Sequence, residues 1–346
     1  MLRQRWGYGL VPALRAKGRT RAEGPVAGLA TFADHYDGRR FFNPHAPDGK
    51  RFRVVRRWQP TRGQKSWPER VEDPSFAPPI RVASDVISAT FIGHSTFFLQ
   101  IGGVCVLTDP IWSDRCSPVK VAGPRRARRP GQSLDSLPGV DLLVVSHNHY
   151  DHMDLPTLRE VRARWAPRTV TGLGNARHLA KAGIRSAIEL DWWQSIQCAG
   201  ARVTYVPAQH FSSRGLHDLN QCLWGGFVIE AGGATVYFAG DSGYCPHFAE
   251  IGRRFPRIDL ALLPIGAYEP RSFTRANHVD PPEAVRAHVD LKPRRSLGMH
   301  FGTFQLTDEA IDAPVSALRR ARAQLGIAQQ DFDVLAFGET RAYSTA

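Results

Sequence analysis

Residues 140–154, VDLLVVSHNHYDHMD, constrain this chain more than any other stretch. The apolar run at 142–145 reads as a buried strand, and it opens at Ser146 into His147, His149, Asp151 and His152. Four potential metal donors at a strand exit can be aimed into one pocket from a rigid base. Imidazole nitrogens suit zinc or iron, and a carboxylate adds a hard oxygen donor. In an extended segment His147 and His149 point to the same side, toward one ion. The turn that follows lets Asp151 and His152 reach a neighbouring one. Packing is a poor explanation of such a cluster, because desolvating these groups without a cation is costly.

The remainder of the chain supplies a body for such a site. At 346 residues, 42% apolar and 22% charged, it can bury a full core, which excludes global disorder. No run approaches the roughly 18 apolar residues of a spanning helix, so the protein is not read as integral to a membrane. Short β-rich runs stand at 86–92, 96–101, 104–108 and 141–146, with a hairpin at 102–104. A helix is expected over 154–165, then strands near 168–171, 202–207, 223–230 and 234–239, the last two joined by Gly232-Gly233. A third phase runs strand 258–264, helix 281–290, strand 295–299, helix 307–325 and strand 332–337. Asp280 is the expected N-cap of the helix that has Pro281 in its first turn. The order predicts an α/β sandwich, two mixed sheets packed face to face with helices outside. No linker divides the body, so residues 84–346 are expected to form one catalytic domain. Residues 1–83 are expected to be an irregular basic extension wrapping it, with 1–25 mobile.

Charge is distributed unevenly. Residues 1–80 hold sixteen Lys/Arg against seven Asp/Glu and so carry +9 of the net +13. Such a segment suits an anionic partner, or is a solvated arm. The cluster Lys120, Arg125, Arg126, Arg128 and Arg129 has no acid between 115 and 129 beside it, and is read as facing anionic lipid. No interleaved basic–aromatic motif occurs, and no nucleic-acid partner is expected. Arginine outnumbers lysine 39 to 6, a usage suggesting a GC-rich bacterial genome. Five scattered cysteines form no CxxC pair, and the N-terminus lacks a secretory pattern. These features point to the cytoplasm, with peripheral contact at the inner face of the membrane.

HNHYDH resembles the HxHxDH signature of the metallo-β-lactamase superfamily. That superfamily needs three further ligands after later strands. His210 follows VTYVPAQ, Asp241 follows VYFAG within GDSG, and His300 follows SLGM. Narrower stretches, among them LTDPIWSDRCSPVKVAGPRR (107–126), ELDWW (189–193), PIGAYEPR (264–271), HVDPPEAV (278–285) and HFGTF (300–304), resemble the N-acylphosphatidylethanolamine-hydrolysing phospholipase D family. The resemblance covers about residues 86–340, with HYDGRRFFNP at 35–44 as a further family-like stretch. It implies the αββα sandwich and two zinc ions, for which iron or manganese could substitute. His147, His149 and His210 would hold one ion, Asp151, His152 and His300 the other, and Asp241 would bridge them. It further implies that His278 lies beside the catalytic centre and that Asp109 orients a ligand histidine. Asp151, Asp241 and His278 are thus the expected catalytic residues.

The implied reaction is attack of a metal-bridging hydroxide on a phosphodiester, releasing N-acylethanolamine and leaving phosphatidic acid. A phospholipid substrate and a homodimer follow from the same resemblance. Arg214, Trp192, Trp193 and Tyr268 are candidate substrate contacts, with Phe211, Trp224 and Phe273 as further nearby aromatics. Two other readings stand beside this one. The same metal centre could serve a cytosolic lactonase or another phosphodiesterase, or the scaffold could be a non-catalytic binding protein.

Overall fold

The computed structural model describes residues 34–45 and 67–344. In chain order the strands begin β1 (Val86–Gly93), β2 (Thr96–Ile101), β3 (Val104–Thr108), β4 (Leu142–Val145), β5 (Arg168–Gly172), β6 (Ile188–Leu190) and β7 (Ser195–Cys198). They continue β8 (Ala201–Val206), β9 (Gly226–Ala231), β10 (Ala234–Phe238), β11 (Leu260–Pro264), β12 (Ser296–Met299), β13 (Phe332–Asp333) and β14 (Thr340–Ser344). The helices are α1 (Leu155–Trp165), α2 (Ala176–Leu179), α3 (His247–Arg254), α4 (Arg271–Thr274), α5 (Pro281–Leu291) and α6 (Ala313–Leu325).

Among the described residues fourteen strands form two seven-stranded mixed sheets, ordered β14-β1-β2-β3-β4-β5-β6 and β13-β12-β11-β10-β9-β8-β7. The period-two alternation of strand side chains sorts the first sheet into two buried faces. Phe97, Leu99, Ile101, Leu142 and Val144 join the core shared with the second sheet. Phe98, Leu143 and Val145 point the other way, onto Leu158 and Val161 of α1. Both faces are covered, which is why LLVV reads as an unbroken apolar run. On the second sheet, α3, α5 and α6 contribute Phe248, Ile251, Ala284, Val285, Leu291 and Leu318 to the same large core. The sandwich expected from sequence is therefore the one observed.

Several element boundaries differ from expectation, each for a local reason. The strand predicted from 223 begins at 226, because the Leu223 amide donates to Leu173 O and the Gly225 amide to Ser146 O. These bonds tie the second sheet to the first beside the histidine motif. The helix predicted from 307 begins at 313, with proline in its first turn. Glu309 folds inward instead and accepts the amides of Ala267 (2.6 Å) and Glu269 (3.1 Å). Of the strand predicted at 332–337 only Phe332–Asp333 pairs, whereas Thr340–Ser344 adds an edge to the other sheet against β1. That edge, TRAYS, is polar and partly exposed, so it carries no apolar signature. Strands β6 and β7 and helices α2, α3 and α4 were likewise absent from the sequence reading.

Segment 34–45 lies on the body close to the later strands. Phe41 is buried, His35 Nε2 meets Asp191 Oδ1 at 2.8 Å, and the His35 ring stacks on Trp192. Asn43 Nδ2 donates to the carbonyl of His210 (2.8 Å), and Asn43 Oδ1 accepts from Trp224 Nε1 (3.2 Å). Further along, the Val71 amide donates to Ala127 O at 2.8 Å. The expected mobility of residues 1–25 lies outside the described residues. Among the described residues no helix is long and apolar enough to cross a membrane.

Candidate metal centre

The parallel strands deliver their C-terminal ends to one edge of the sandwich, where open α/β sheets place ligands. Strand β3 ends at Thr108 and presents Asp109; β4 ends at Val145 and presents Ser146 and His147. The loops after β8, β10 and β12 carry His210, Asp241 and His300. Both Asp109 and His300 have positive φ (33° and 60°), backbone strain of the kind that gathers at functional sites. The capped start of α5 sets His278. Asp280 accepts the Glu283 amide at 2.8 Å, and the Val279 amide donates to Ser242 O at 2.8 Å, next to Asp241.

The seven expected ligands, separated by up to 153 positions, converge there in overlapping groups of potential metal donors that also take in His94, Asp109 and His278. By distance the seven fall into two sets. In the first, His149 Nδ1 lies 2.9 Å from His147 Nε2 and 3.2 Å from His210 Nε2. In the second, Asp151 Oδ2 lies 3.4 Å from both His152 Nε2 and His300 Nε2. Asp241 Oδ2 joins the sets, at 3.2 Å from His152 Nε2, 3.1 Å from His300 Nε2 and 3.8 Å from His210 Nε2. Donors bound at about 2.0–2.1 Å around a tetrahedral ion are separated by about 3.3 Å, so the spacing fits two four-coordinate cations. The Nε2 atoms of His152 and His300 and Oδ1 of Asp241 are buried and make no hydrogen bond. In the second set, groups so close yet not aligned on one another surround a point instead of pairing, and buried polar atoms left this way are costly. The donor set fits divalent metal.

Neighbouring groups fix the outer nitrogen of three rings and so aim the inner one. His147 Nδ1 faces Ser146 Oγ (2.9 Å), and His210 Nδ1 donates to Asn277 O (2.9 Å). His152 Nδ1 meets Asp109 Oδ2 at 2.7 Å, while Asp109 Oδ1 accepts the Ser146 amide at 2.7 Å. The electrostatics favour cation binding. Burial opposes ionisation of Asp151 and Asp241, but the positive charge of neighbouring rings, His152 foremost, outweighs it and holds both carboxyls well below their usual range. The same carboxylates push His152 well up and His300 up to about 9, so a cation here takes the place of protons. Burial pushes His147 and His210 well down and His149 to about 3, which leaves their nitrogens free of competing protons. Burial also pushes His278 down to about 4; its Nδ1 makes no hydrogen bond and lies 3.9 Å from Asp241 Oδ2.

The proposed substrate contacts are placed differently. Arg214 Nη1 donates to the carbonyls of Asn148 (2.7 Å) and Met153 (2.9 Å), and its guanidinium lies 4.0 Å above the Tyr150 ring. It clamps the loop bearing His149, Asp151 and His152. Trp192 Nε1 donates to Trp224 O, and Trp193 carries Arg254 over its ring. Trp192 also stacks on the His35 ring, so both tryptophans are engaged in packing contacts. Tyr268 is buried, and its carbonyl accepts from Thr274. Phe211 lies against the centre, edge-on to His149 at 4.4 Å. Within the basic cluster Arg126 is buried and Arg128 pairs with Asp73, whereas Arg125 is exposed and pairs at the surface with Asp114 and Glu69. Lys120 and Arg129 remain exposed.

Two participants escaped the sequence reading. His94, in the turn between β1 and β2, lies with Asp151, His152 and His300. Its weak signal was a histidine in a two-residue connection between two strands that are almost wholly buried. Gly266 abuts the His300 backbone, where an added Cβ would lie 2.0 Å from His300 O. Gly266→Ala is therefore expected to destabilise the chain by about 1–3 kcal/mol through overpacking and to displace His300. Chemical denaturation measures the first effect, and unchanged stability would contradict the tight approach.

Comparison with known proteins agrees with this architecture. A family model described as a beta-lactamase superfamily domain matches residues 105–301. The chain is 38% identical over 229 residues to an N-acyl-phosphatidylethanolamine-hydrolyzing phospholipase D of Caenorhabditis elegans, covering 63% of this chain and 64% of that protein. The chain thus spans under two thirds of that relative's length. It is 30% identical over 221 residues to a metal-dependent hydrolase of Thermococcus kodakarensis, covering 63% of this chain and 86% of that one. Among solved structures, a metallo hydrolase from Ignicoccus hospitalis shares the fold, with a TM-score of 0.59 at 23% identity over 75% of this chain and all of that one.

Proposed function

The chain belongs to the beta-lactamase superfamily and is a metal-dependent hydrolase; from that premise we propose that it is a two-zinc phosphodiesterase cleaving N-acylated phosphatidylethanolamine to N-acylethanolamine and phosphatidic acid. The observation that carries the reading is the position of Asp241 Oδ2 between two donor sets. In this proposal His147, His149 and His210 hold one cation, Asp151, His152 and His300 hold the other, and Asp241 serves both. Paired divalent cations supply Lewis acidity toward a phosphoryl oxygen and a hydroxide nucleophile at neutral pH.

The chain's own residues then do the positioning. Asp109, Ser146 and the Asn277 carbonyl set which nitrogen of three histidines carries the proton, so that the inner atoms keep their lone pairs. His278, held neutral and outside both donor sets, keeps an unpaired Nδ1 3.9 Å from Asp241 Oδ2, and it hydrogen-bonds the leaving oxygen. Phe211 provides an apolar wall beside His149 for part of the lipid. Phospholipid specificity rests on likeness to the worm phospholipase D, named for that substrate. Arg214 is proposed to act by bracing the ligand loop rather than by touching the headgroup. Peripheral contact with the membrane, and a homodimer, belong to the same proposal.

The better-covered relative is named only as a metal-dependent hydrolase, which favours a second reading in which the same centre opens a lactone or another ester. Zinc-loaded protein incubated with vesicles containing N-acylphosphatidylethanolamine, with a lactone, and with bis-nitrophenyl phosphate separates the two. Mass spectrometry is expected to detect N-acylethanolamine and phosphatidic acid in equal amounts. Turnover of the lactone alone would overturn the phospholipase assignment.

A further inference from the structure

His94 is buried in the turn joining two buried strands, and its φ of 57° is unusual for a residue with a side chain. A residue needed only for the turn would be glycine or asparagine. Two hydrogen bonds pin its backbone: the His94 amide donates to Thr303 Oγ1 (2.9 Å), and the His94 carbonyl accepts the His300 amide (2.7 Å). The ring lies 4.0 Å from that of His300, and its Nε2 stands 3.0 Å from Asp151 Oδ2. Three imidazoles thus approach one carboxylate oxygen. Those of His152 and His300 do so at 3.4 Å and without hydrogen-bond geometry, whereas His94 has that geometry. His94 Nδ1 meets no partner among the described residues, so the proton of the neutral ring belongs on Nε2, where a carboxylate accepts it.

We propose that His94 is a positioning residue for the second cation, its side chain orienting Asp151 and its backbone carbonyl setting His300. The inference rests on the two-cation reading above and deepens it: one residue outside the HNHYDH motif governs occupancy of one of the two sites. It acts as a hydrogen-bond donor to a ligand, and loss of that donor should weaken the second site while sparing the first. Outer partners of metal ligands typically carry about 10–100-fold in affinity.

The test is metal binding by the full-length chain, with His94→Ala, His94→Phe and His94→Gln compared with wild type. Each protein is loaded with zinc, passed over a desalting column, analysed for zinc per chain and titrated against a chelator. Melting of the metal-stripped proteins reports folding separately. The expected result is two zinc ions in wild type, one tight ion and one weakened about 10–100-fold in the Ala and Phe variants, and substantial recovery with Gln, which restores an N–H donor. Two equally tight ions in His94→Ala would overturn the proposal, as would a Gln variant no better than Phe. Equal weakening of both sites with a matching loss of apo stability would assign His94 to structure alone. Fewer than two ions in wild type would overturn the two-cation reading beneath it. The lipid assay plays no part, so a different substrate leaves this test intact.

Discussion

Replacing Asp241 with Asn is expected to reduce turnover by on the order of a thousandfold and to lower the number of cations held per chain. The amide keeps the shape of the side chain but removes the charge, and it can turn an NH2 group toward the cations. Asp241 Oδ2 is the atom common to both donor sets, within 3.8 Å of inner nitrogens from His152, His210 and His300. Cation stabilisation of transition-state charge is worth several kcal/mol, and about 1.4 kcal/mol is a factor of ten in rate. Steady-state kinetics paired with elemental analysis checks the outcome. Full activity with two retained ions would remove Asp241 from the centre.

Asp109→Asn should produce the next largest effect, a loss of about 10–100-fold in activity and in cation affinity. Asp109 is fully buried and accepts from the Ser146 amide, the Ser146 hydroxyl and His152 Nδ1. An asparagine has one acceptor oxygen and must direct its NH2 at one of these partners. If it faces His152, the ring turns over its proton and Nε2 loses the lone pair that the site needs. A Glu variant cannot rescue, because the strained backbone at Asp109 and the packed surroundings leave no room for a longer side chain. Chelator titration of the Asn variant measures the change. Wild-type affinity would show that Asp109 serves only the fold.

How much of this was legible beforehand follows from where the physical signal lies. The buried strands announced themselves because LLVV, TFFLQI and VYF bury both faces and need no partner to be recognised. The clustering of His147, His149, Asp151 and His152 was equally plain, since local spacing alone brings them together. His210, Asp241 and His300 could be tied to them only through resemblance, because their approach depends on the packing of two sheets. His94 escaped because a single histidine in a tight turn is only a weak local cue, and its approach to Asp151 also depends on how the chain packs. Arg214 is a candidate substrate contact in the sequence; its bonds to the carbonyls of Asn148 and Met153 depend on tertiary packing that no local pattern announces. The polar edge strand Thr340–Ser344 was missed because its pairing with β1 is set by register across the sheet, not by hydrophobicity.

The central claim is that this chain builds a paired-cation centre. Counting zinc per chain in the wild-type protein, loaded to saturation and freed of loose metal, tests it most directly. Two ions per chain, falling in Asp241→Asn, is the predicted result. A wild-type protein that leaves the column with no bound zinc, or with a single ion unaffected by Asp241→Asn, would contradict it.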